Sequence, residues 1–216
     1  MRIIDAVSCV CVVLSLALSA VSPARADMIV TEGVQPWHLC ATCHNLDGIS
    51  AMPRFPKLAG QRPLYIIKQV RDFGEGRRSN DGGQMQAIAS EIGDEDLAKT
   101  ARYFAGLPPP PPLAWLATDG AKWRRGAGLY SEGDAAANIP RCASCHEDAA
   151  PGLPQGPFLS AQHAEYLIKQ LRDWRAGARA NSEQMPAIAA KLSDQDIAAL
   201  ALFLATKSRA LVTDGQ

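Results

Sequence analysis

The sequence predicts an all-α chain built as two tandem copies of one small helical domain. Three observations predict it. The chain matches itself when slid by about a hundred residues, apolar positions recur at helical spacing in each copy, and five prolines divide the copies. No run of alternating Val, Ile and Thr suggests a sheet.

The duplication is read segment by segment. Cys40-Ala-Thr-Cys43-His44 is answered by Cys142-Ala-Ser-Cys145-His146, and Pro56-Lys-Leu-Ala-Gly-Gln61 by Pro157-Phe-Leu-Ser-Ala-Gln162. Tyr65-Ile-Ile-Lys-Gln-Val-Arg-Asp-Phe73 is answered by Tyr166-Leu-Ile-Lys-Gln-Leu-Arg-Asp-Trp174. Gln84-Met85-Gln-Ala-Ile-Ala89 returns as Gln184-Met185-Pro-Ala-Ile-Ala189, and Asp94-Glu-Asp-Leu97 as Asp194-Gln-Asp-Ile197. The order is the same throughout, so the copies share one fold with small loop changes.

Residues 1–26 read as an export signal. Ala6 to Val21 is apolar but for serines, and Ala24-Arg25-Ala26 fits the small-x-small cleavage pattern, which leaves Asp27 as the mature start. The run is shorter than the ~20 residues a spanning helix needs. Export to the periplasm is expected, with association to the membrane surface left open. The first domain then covers residues 27–107. Within it Pro63 suits the first turn of a helix, and Leu64, Ile67, Val70 and Arg71 follow a 3.6-residue pattern. A last helix starts near Asp94 and ends at Gly106.

Residues 108–112 are all proline, which stops a helix and favours polyproline II at ~3.1 Å per residue. Whether this run is a stiff spacer or a plain linker depends on whether the domains dock. The second domain covers residues 113–216. Leu167, Gln170, Leu171 and Trp174 mark its long helix, and Ser193-x-x-Asp196 opens the last one in the manner of a capping box. Each copy is small for a self-sufficient apolar core.

The precursor carries 22 basic and 22 acidic residues, so it lacks the basic surplus of a nucleic-acid binder. Six cysteines in an exported chain would ordinarily suggest disulfides. Cys9 and Cys11 leave with the signal, however, and Cys40, Cys43, Cys142 and Cys145 fall into two pairs, each followed at once by histidine.

Cys-x-x-Cys-His is the attachment signature of haem c. Cysteines three apart on a turn can each reach one vinyl group of the same porphyrin, and the adjacent histidine then stands under the iron. A thioredoxin-like pair or a zinc site is the rival. Neither explains a histidine at the same place in both copies. The expectation is two covalently bound haem c groups, with Cys40, Cys43, Cys142 and Cys145 as thioether sites and His44 and His146 as iron ligands. Each porphyrin would supply apolar mass that its small domain lacks.

Met85 and Met185 are expected as the opposite ligands. They lie 41 and 39 residues after His44 and His146, in matching segments. Met52 has no counterpart and lies close to His44 in the chain. His38 is unmatched, and His163 aligns with Arg62 at a helix start, where it reads as a surface residue. Thioether sulfur is a soft donor that favours ferrous iron and raises its potential. Six-coordinate iron of this kind has no open position for a substrate. The carbonyls of Pro56 and Pro157 are expected to accept the other ring proton of each histidine, and Gln61 and Gln162 are candidates for the haem propionates.

These residues resemble the cytochrome c4 family, di-haem class I cytochromes. The likeness is carried by Asn138-Ile-Pro-Arg-Cys-Ala-Ser-Cys-His146, Leu58-Ala-Gly-Gln61, the paired Tyr-x-Ile-Lys-Gln segments and the two methionines. It covers the chain after the signal. It implies two class I cytochrome c domains about a pseudo-two-fold axis with neighbouring haems, and electron delivery towards a terminal oxidase. The chain departs from the family after the histidines, where Asn45 and Glu147 replace the usual glycine. The expected function is a carrier of single electrons and not an enzyme, working between redox proteins such as a membrane oxidase or reductase, with no small-molecule substrate. The alternatives are a cytochrome subunit of a dehydrogenase, such as flavocytochrome sulfide dehydrogenase, and a di-haem peroxidase or thiosulfate-oxidising enzyme.

Overall fold

In the first copy of the repeat, four stretches of the chain are helical. A computed structural model describes residues 33–114, 120–147 and 156–209; the expected export signal lies outside the described residues. The first copy contains α1 (Trp37–His44), α2 (Pro63–Gly74), α3 (Gln84–Glu91) and α4 (Asp94–Ala105). The second contains α5 (Ala121–Ser131), α6 (Ala143–His146), α7 (Ala164–Arg175), α8 (Met185–Ala189) and α9 (Asp194–Thr206). Among the described residues the only β pairing is an isolated bridge between Asp134 and Ile139.

The helix ends follow the local chemistry. Pro63 opens α2, where its missing N–H would have had no helical acceptor. Three acidic residues, Asp94, Glu95 and Asp96, stand in the first turn of α4 against the positive end of its dipole. Ser193 and Asp196 form the expected reciprocal box at α9: Ser193 Oγ accepts from Asp196 N at 3.0 Å, and Ser193 N donates to Asp196 at 3.1 Å. The helix α6 is shorter than its counterpart α1 because Pro140 lies two residues before Cys142. It holds Ile139 extended, in the bridge to Asp134, and delays the helix.

The helix expected from the pattern forms at α2, but its buried face is offset from that pattern. Leu64 is 78% exposed, and the buried face is Ile66, Gln69, Val70 and Phe73 with Asp72. These are the positions that match Leu167, Gln170, Leu171 and Trp174 in α7. The cause is Gln69, a polar residue that the inter-copy interface buries and that an apolar pattern does not select.

Each copy has its own core. In the first, Ile66, Ala101 and Phe104 are joined by Trp37, Leu58, Ile67, Tyr103 and Leu107, with Trp37 stacked on Tyr103 at 4.4 Å between centroids. In the second, α5 adds Leu129 and Tyr130 to Leu167, Leu192, Ile197, Leu200 and Leu204. Gly126 lets α5 lie close to α9: a Cβ there would stand 2.6 Å from the carbonyl carbon of Ala199 and 2.9 Å from Phe203 Cβ.

The prolines run outside any helix and are tied at both ends. Leu107 packs in the first core, and Leu113 N donates to Ala205 O of α9 at 2.9 Å. From Val34 onward the chain is one unit, and the two copies meet through one set of residues used twice. Gln61 takes a hydrogen bond from Phe158 N and gives one to Phe158 O, both at 3.0 Å. Gln162 treats Lys57 N and O in the same way at 2.9 and 3.0 Å. Deeper in, Arg78 donates to Gln69, Gln170 and Tyr166, while Arg179 donates to Gln170, Gln69 and Tyr65. Asn80 reaches Gln170 and Asp173, and Asn181 reaches Gln69 and Asp72. Exchange of equal residues in this manner is what a two-fold relation between the copies produces.

Candidate functional site

The helix α1 presents Cys40 and Cys43 one turn apart and ends on His44; Cys142 caps α6, which carries Cys145 and ends on His146. None of the four cysteines is in a disulfide. Burial pushes the Cys40 thiol up to about 11, with the Cys43 charge adding to the effect, and burial pushes Cys142 up to about 11 as well. Thiols held protonated are unlike the low-pKa nucleophile of a thioredoxin-type pair. Among the described residues no group of three or more His, Cys, Asp or Glu side chains is arranged to hold a metal ion, so a zinc site of that kind is not formed.

Both histidines are fixed by a carbonyl that follows in sequence. His44 Nδ1 donates to Pro56 O at 2.8 Å, and His146 Nδ1 donates to Pro157 O at 2.9 Å, as the sequence suggested. With Nδ1 carrying the hydrogen, Nε2 keeps its lone pair, the form in which imidazole binds a metal. Burial lowers the pKa of both rings, against the opposing pull of each carbonyl bond, and the Arg62 charge lowers His146 further. Both rings therefore stay neutral. The supports differ. Phe55 stands edge-on to His44 at 6.0 Å, whereas Gly156 backs His146, and a Cβ there would lie 2.6 Å from Cε1 and 2.7 Å from Nδ1.

The residue after each histidine also differs. Asn45 adopts φ 60° with ψ 159°, a conformation suited to glycine, and its Nδ2 donates to Ile49 O at 2.8 Å. Glu147 has an ordinary extended backbone. The first copy thus keeps the backbone that glycine would supply, and the second does not need it.

The methionines come from other helices. Met85 is the second residue of α3, which packs on α2, and its N–H donates to Asp81 at 2.6 Å. Met185 opens α8, which packs on α7, and its N–H donates to Ser182 Oγ at 3.2 Å. Both are half-buried, whereas Met52 is exposed.

Gln61 and Gln162 are buried, and each donates an amide hydrogen to the backbone of the opposite copy, a role at the interface. One expectation is corrected. His163 is not a surface residue; it is half-buried against Ser50 of the first copy. Sequence reading missed Arg78, Arg179, Asn80 and Asn181. The signal was present, because Arg-x-Asn recurs at matched places in both copies.

The interior of this interface fits an anionic cofactor. Gln69 Oε1 and Gln170 Oε1 each accept from three donors, more than two lone pairs serve well, and among the described residues neither buried guanidinium bonds a carboxylate. Burial would raise the Tyr166 hydroxyl, yet the Arg78 and Arg179 charges hold it below its ordinary value. Trp174 Nε1 is buried without a hydrogen-bond partner among the described residues. Spare donors and positive charge suit carboxylate-bearing haem, as the thiols and Nδ1-anchored imidazoles suit its attachment.

Comparison with known proteins gives the same answer. Residues 121–204 match the family described as Cytochrome C oxidase, cbb3-type, subunit III. The chain is 38% identical over 170 residues to a thiosulfate dehydrogenase electron acceptor of Stutzerimonas stutzeri, covering 77% of each. It superposes on the crystal structure of reduced recombinant cytochrome c4 from Pseudomonas stutzeri with a TM-score of 0.65 and 34% identity, over 78% of this chain and 93% of that one. It is 36% identical over 200 residues to cytochrome c4 of Pseudomonas aeruginosa, covering 90% of this chain and 96% of the relative. The chain belongs to the cytochrome c4 family, and is an electron-transfer cytochrome of two class I domains with two covalently bound haem c groups.

Proposed function

We propose that this chain is a periplasmic carrier that moves single electrons between redox proteins, towards a terminal oxidase, and performs no catalysis of its own. In this reading Cys40 and Cys43 hold one haem and Cys142 and Cys145 the other. His44 and Met85 ligate the first iron, and His146 and Met185 the second. A haem c between imidazole nitrogen and thioether sulfur supplies a one-electron couple at raised potential with no open coordination position. Pro56 and Pro157 hold the two imidazoles in the tautomer that leaves Nε2 for a metal. Arg78 and Arg179 are assigned to the propionates, since among the described residues they are the buried guanidinium groups, and they crowd onto two shared amide oxygens with no ion pair to a carboxylate.

The observation that carries the reading is the identical Cys-x-x-Cys-His and proline-carbonyl arrangement in both copies. Two sites with the same attachment and ligand pattern within one chain suit relay of electrons better than turnover at one specialised centre. The domains are taken as residues 27–107 and 113–216, with 108–112 between them and residues 1–26 as the export signal. The linker is then a strut between docked bodies, in keeping with its ties to Leu107 and Ala205. The cbb3-type match supports delivery to an oxidase.

One observation favours a second reading. The likeness to a thiosulfate dehydrogenase electron acceptor supports service to a dehydrogenase as its partner cytochrome. The test is to reduce the purified holoprotein and add respiring membranes, and separately to add thiosulfate with and without a thiosulfate dehydrogenase. Oxidation by the membranes, with no turnover of thiosulfate or peroxide by the protein alone, is expected. Brisk turnover by the protein alone contradicts the carrier reading.

A further inference from the structure

Each copy lends one residue to the loop behind the other copy's histidine, and the two residues occupy matched positions. Arg62 precedes Pro63 at the start of α2. Its Nη2 donates to Glu147 O at 3.1 Å, and its guanidinium covers the Phe158 ring at 4.0 Å. Glu147 and Phe158 bracket the segment that carries Pro157, the acceptor for His146. His163 precedes Ala164 at the start of α7 and reaches the other way. Its Nε2 stands 2.9 Å from Ser50 Oγ and 3.0 Å from Ser50 O.

The proton on His163 can be placed. Ser50 Oγ donates its single hydrogen to Phe55 O at 2.6 Å, so towards the imidazole it can only accept. Nε2 therefore carries hydrogen in the neutral ring, and Nδ1 is the atom that titrates. Phe55 is followed by Pro56, whose carbonyl takes the His44 Nδ1 hydrogen at 2.8 Å. From His163 to His44 the route runs through Ser50, Phe55 and Pro56 of one short loop. Arg62 keeps its charge at every working pH; His163 does not.

We propose that His163 links electron uptake at the first haem to proton uptake, while Arg62 leaves the second haem without that link. The proposal rests on His44 and His146 as the proximal ligands. One electron from a reduced redox protein lowers the charge of the first site by one, and a proton from water then binds His163 Nδ1 more readily. On reoxidation the electron passes to the acceptor protein and the proton returns to water. His163 thus has a higher pKa while the first site is reduced than while it is oxidised. The potential of that site falls as pH rises between the two values and is level outside them.

The charged side chains on the loop around Ser50 and in the first turn of α7 are Asp47, Arg54 and Lys57 on the first copy and Glu165 on the second. Burial lowers the His163 pKa and Lys57 lowers it further, against the Ser50 bond and Glu165. The chain's own groups thus hold the ring on the acid side of its ordinary value.

The test is a redox titration of the holoprotein at steps from about pH 4.5 to 8, in the natural chain, His163→Gln and His163→Arg. Gln keeps a donor for Ser50, and Arg reproduces the arrangement at Arg62. One midpoint potential is expected to fall with rising pH in the natural chain. That slope is lost in both variants, with His163→Arg holding the acid-side level, and the other midpoint behaves alike in all three. Equal slopes in the natural chain and His163→Gln overturn the proposal. Haem content and absorption of the same samples report the ligand reading separately, since neither depends on the pH slope.

Discussion

Arg78 of the first copy donates to Gln170 of the second at 2.9 Å, and the mirror pair, Arg179 to Gln69, closes at 3.0 Å. Two buried guanidinium groups are thus held by the same two amide oxygens. The arrangement stabilises only when both copies are present, which makes docking of the domains a property of the fold and not of the linker.

Removing one of those oxygens should be costly. In Gln170→Leu, three donors lose an acceptor inside the protein, and two of them belong to charged groups. Loss of about 2–4 kcal/mol is expected, measured by urea denaturation of the holoprotein. The two copies should also cease to unfold together.

At the candidate iron sites, Met85→Ala and Met185→Ala should each lower one of two midpoint potentials and remove half of the sulfur-to-iron band at the red end of the spectrum. The loss should be the whole band in the double variant. Unchanged spectra in both single variants would mean that the ligands are other residues.

Gly156→Ala should disturb only the second site. Its Cβ would stand 2.6 Å from the His146 ring, so the ring or the loop must move. The cost is about 1–3 kcal/mol, with altered absorption from one haem and none from the other. No such effect is expected at Phe55, which meets His44 at 6.0 Å.

Backbone strain separates a further matched pair. Gly60 has φ 64°, and its counterpart Ala161 has φ 58°. Ala161→Gly should relieve that strain and raise stability by up to about 1 kcal/mol, whereas Gly60→Ala should lower it by at least as much. Thermal unfolding of the two variants checks the opposite signs.

Acid sensitivity should centre on Asp72. Burial alone would raise its carboxyl, but hydrogen bonds from Lys68, Asn181 and Arg77 overcome this and hold it below the ordinary range. A carboxyl depressed in the folded state gives stability that is complete above about pH 3.9 and is lost as pH falls through the folded value. The urea midpoint should drop in that acid range, and less steeply in Asp72→Asn.

What the sequence discloses is mostly local. Pro63, the Ser193–Asp196 box and the two Cys-x-x-Cys-His turns are legible because each is settled within a few residues. The partnership of each histidine with a proline carbonyl spans only a short loop and is legible too. The interface is not. Lys57, Gln61, Gln69 and His163 acquire their roles from residues about a hundred positions away. The same distance explains Leu64, an apolar residue left exposed while polar Gln69 is buried. A polar residue kept in both copies, as at Gln69 and Gln170 or Arg78 and Arg179, is the sequence sign of such an interface.

The central claim is that each copy holds one haem iron between histidine and methionine. It is tested most directly by the haem-to-chain ratio of the purified protein, with optical and magnetic spectra taken through a redox titration. The account predicts two haems per chain, both irons six-coordinate and low-spin in both oxidation states. A colourless protein, a single haem, or high-spin iron at either site would contradict it.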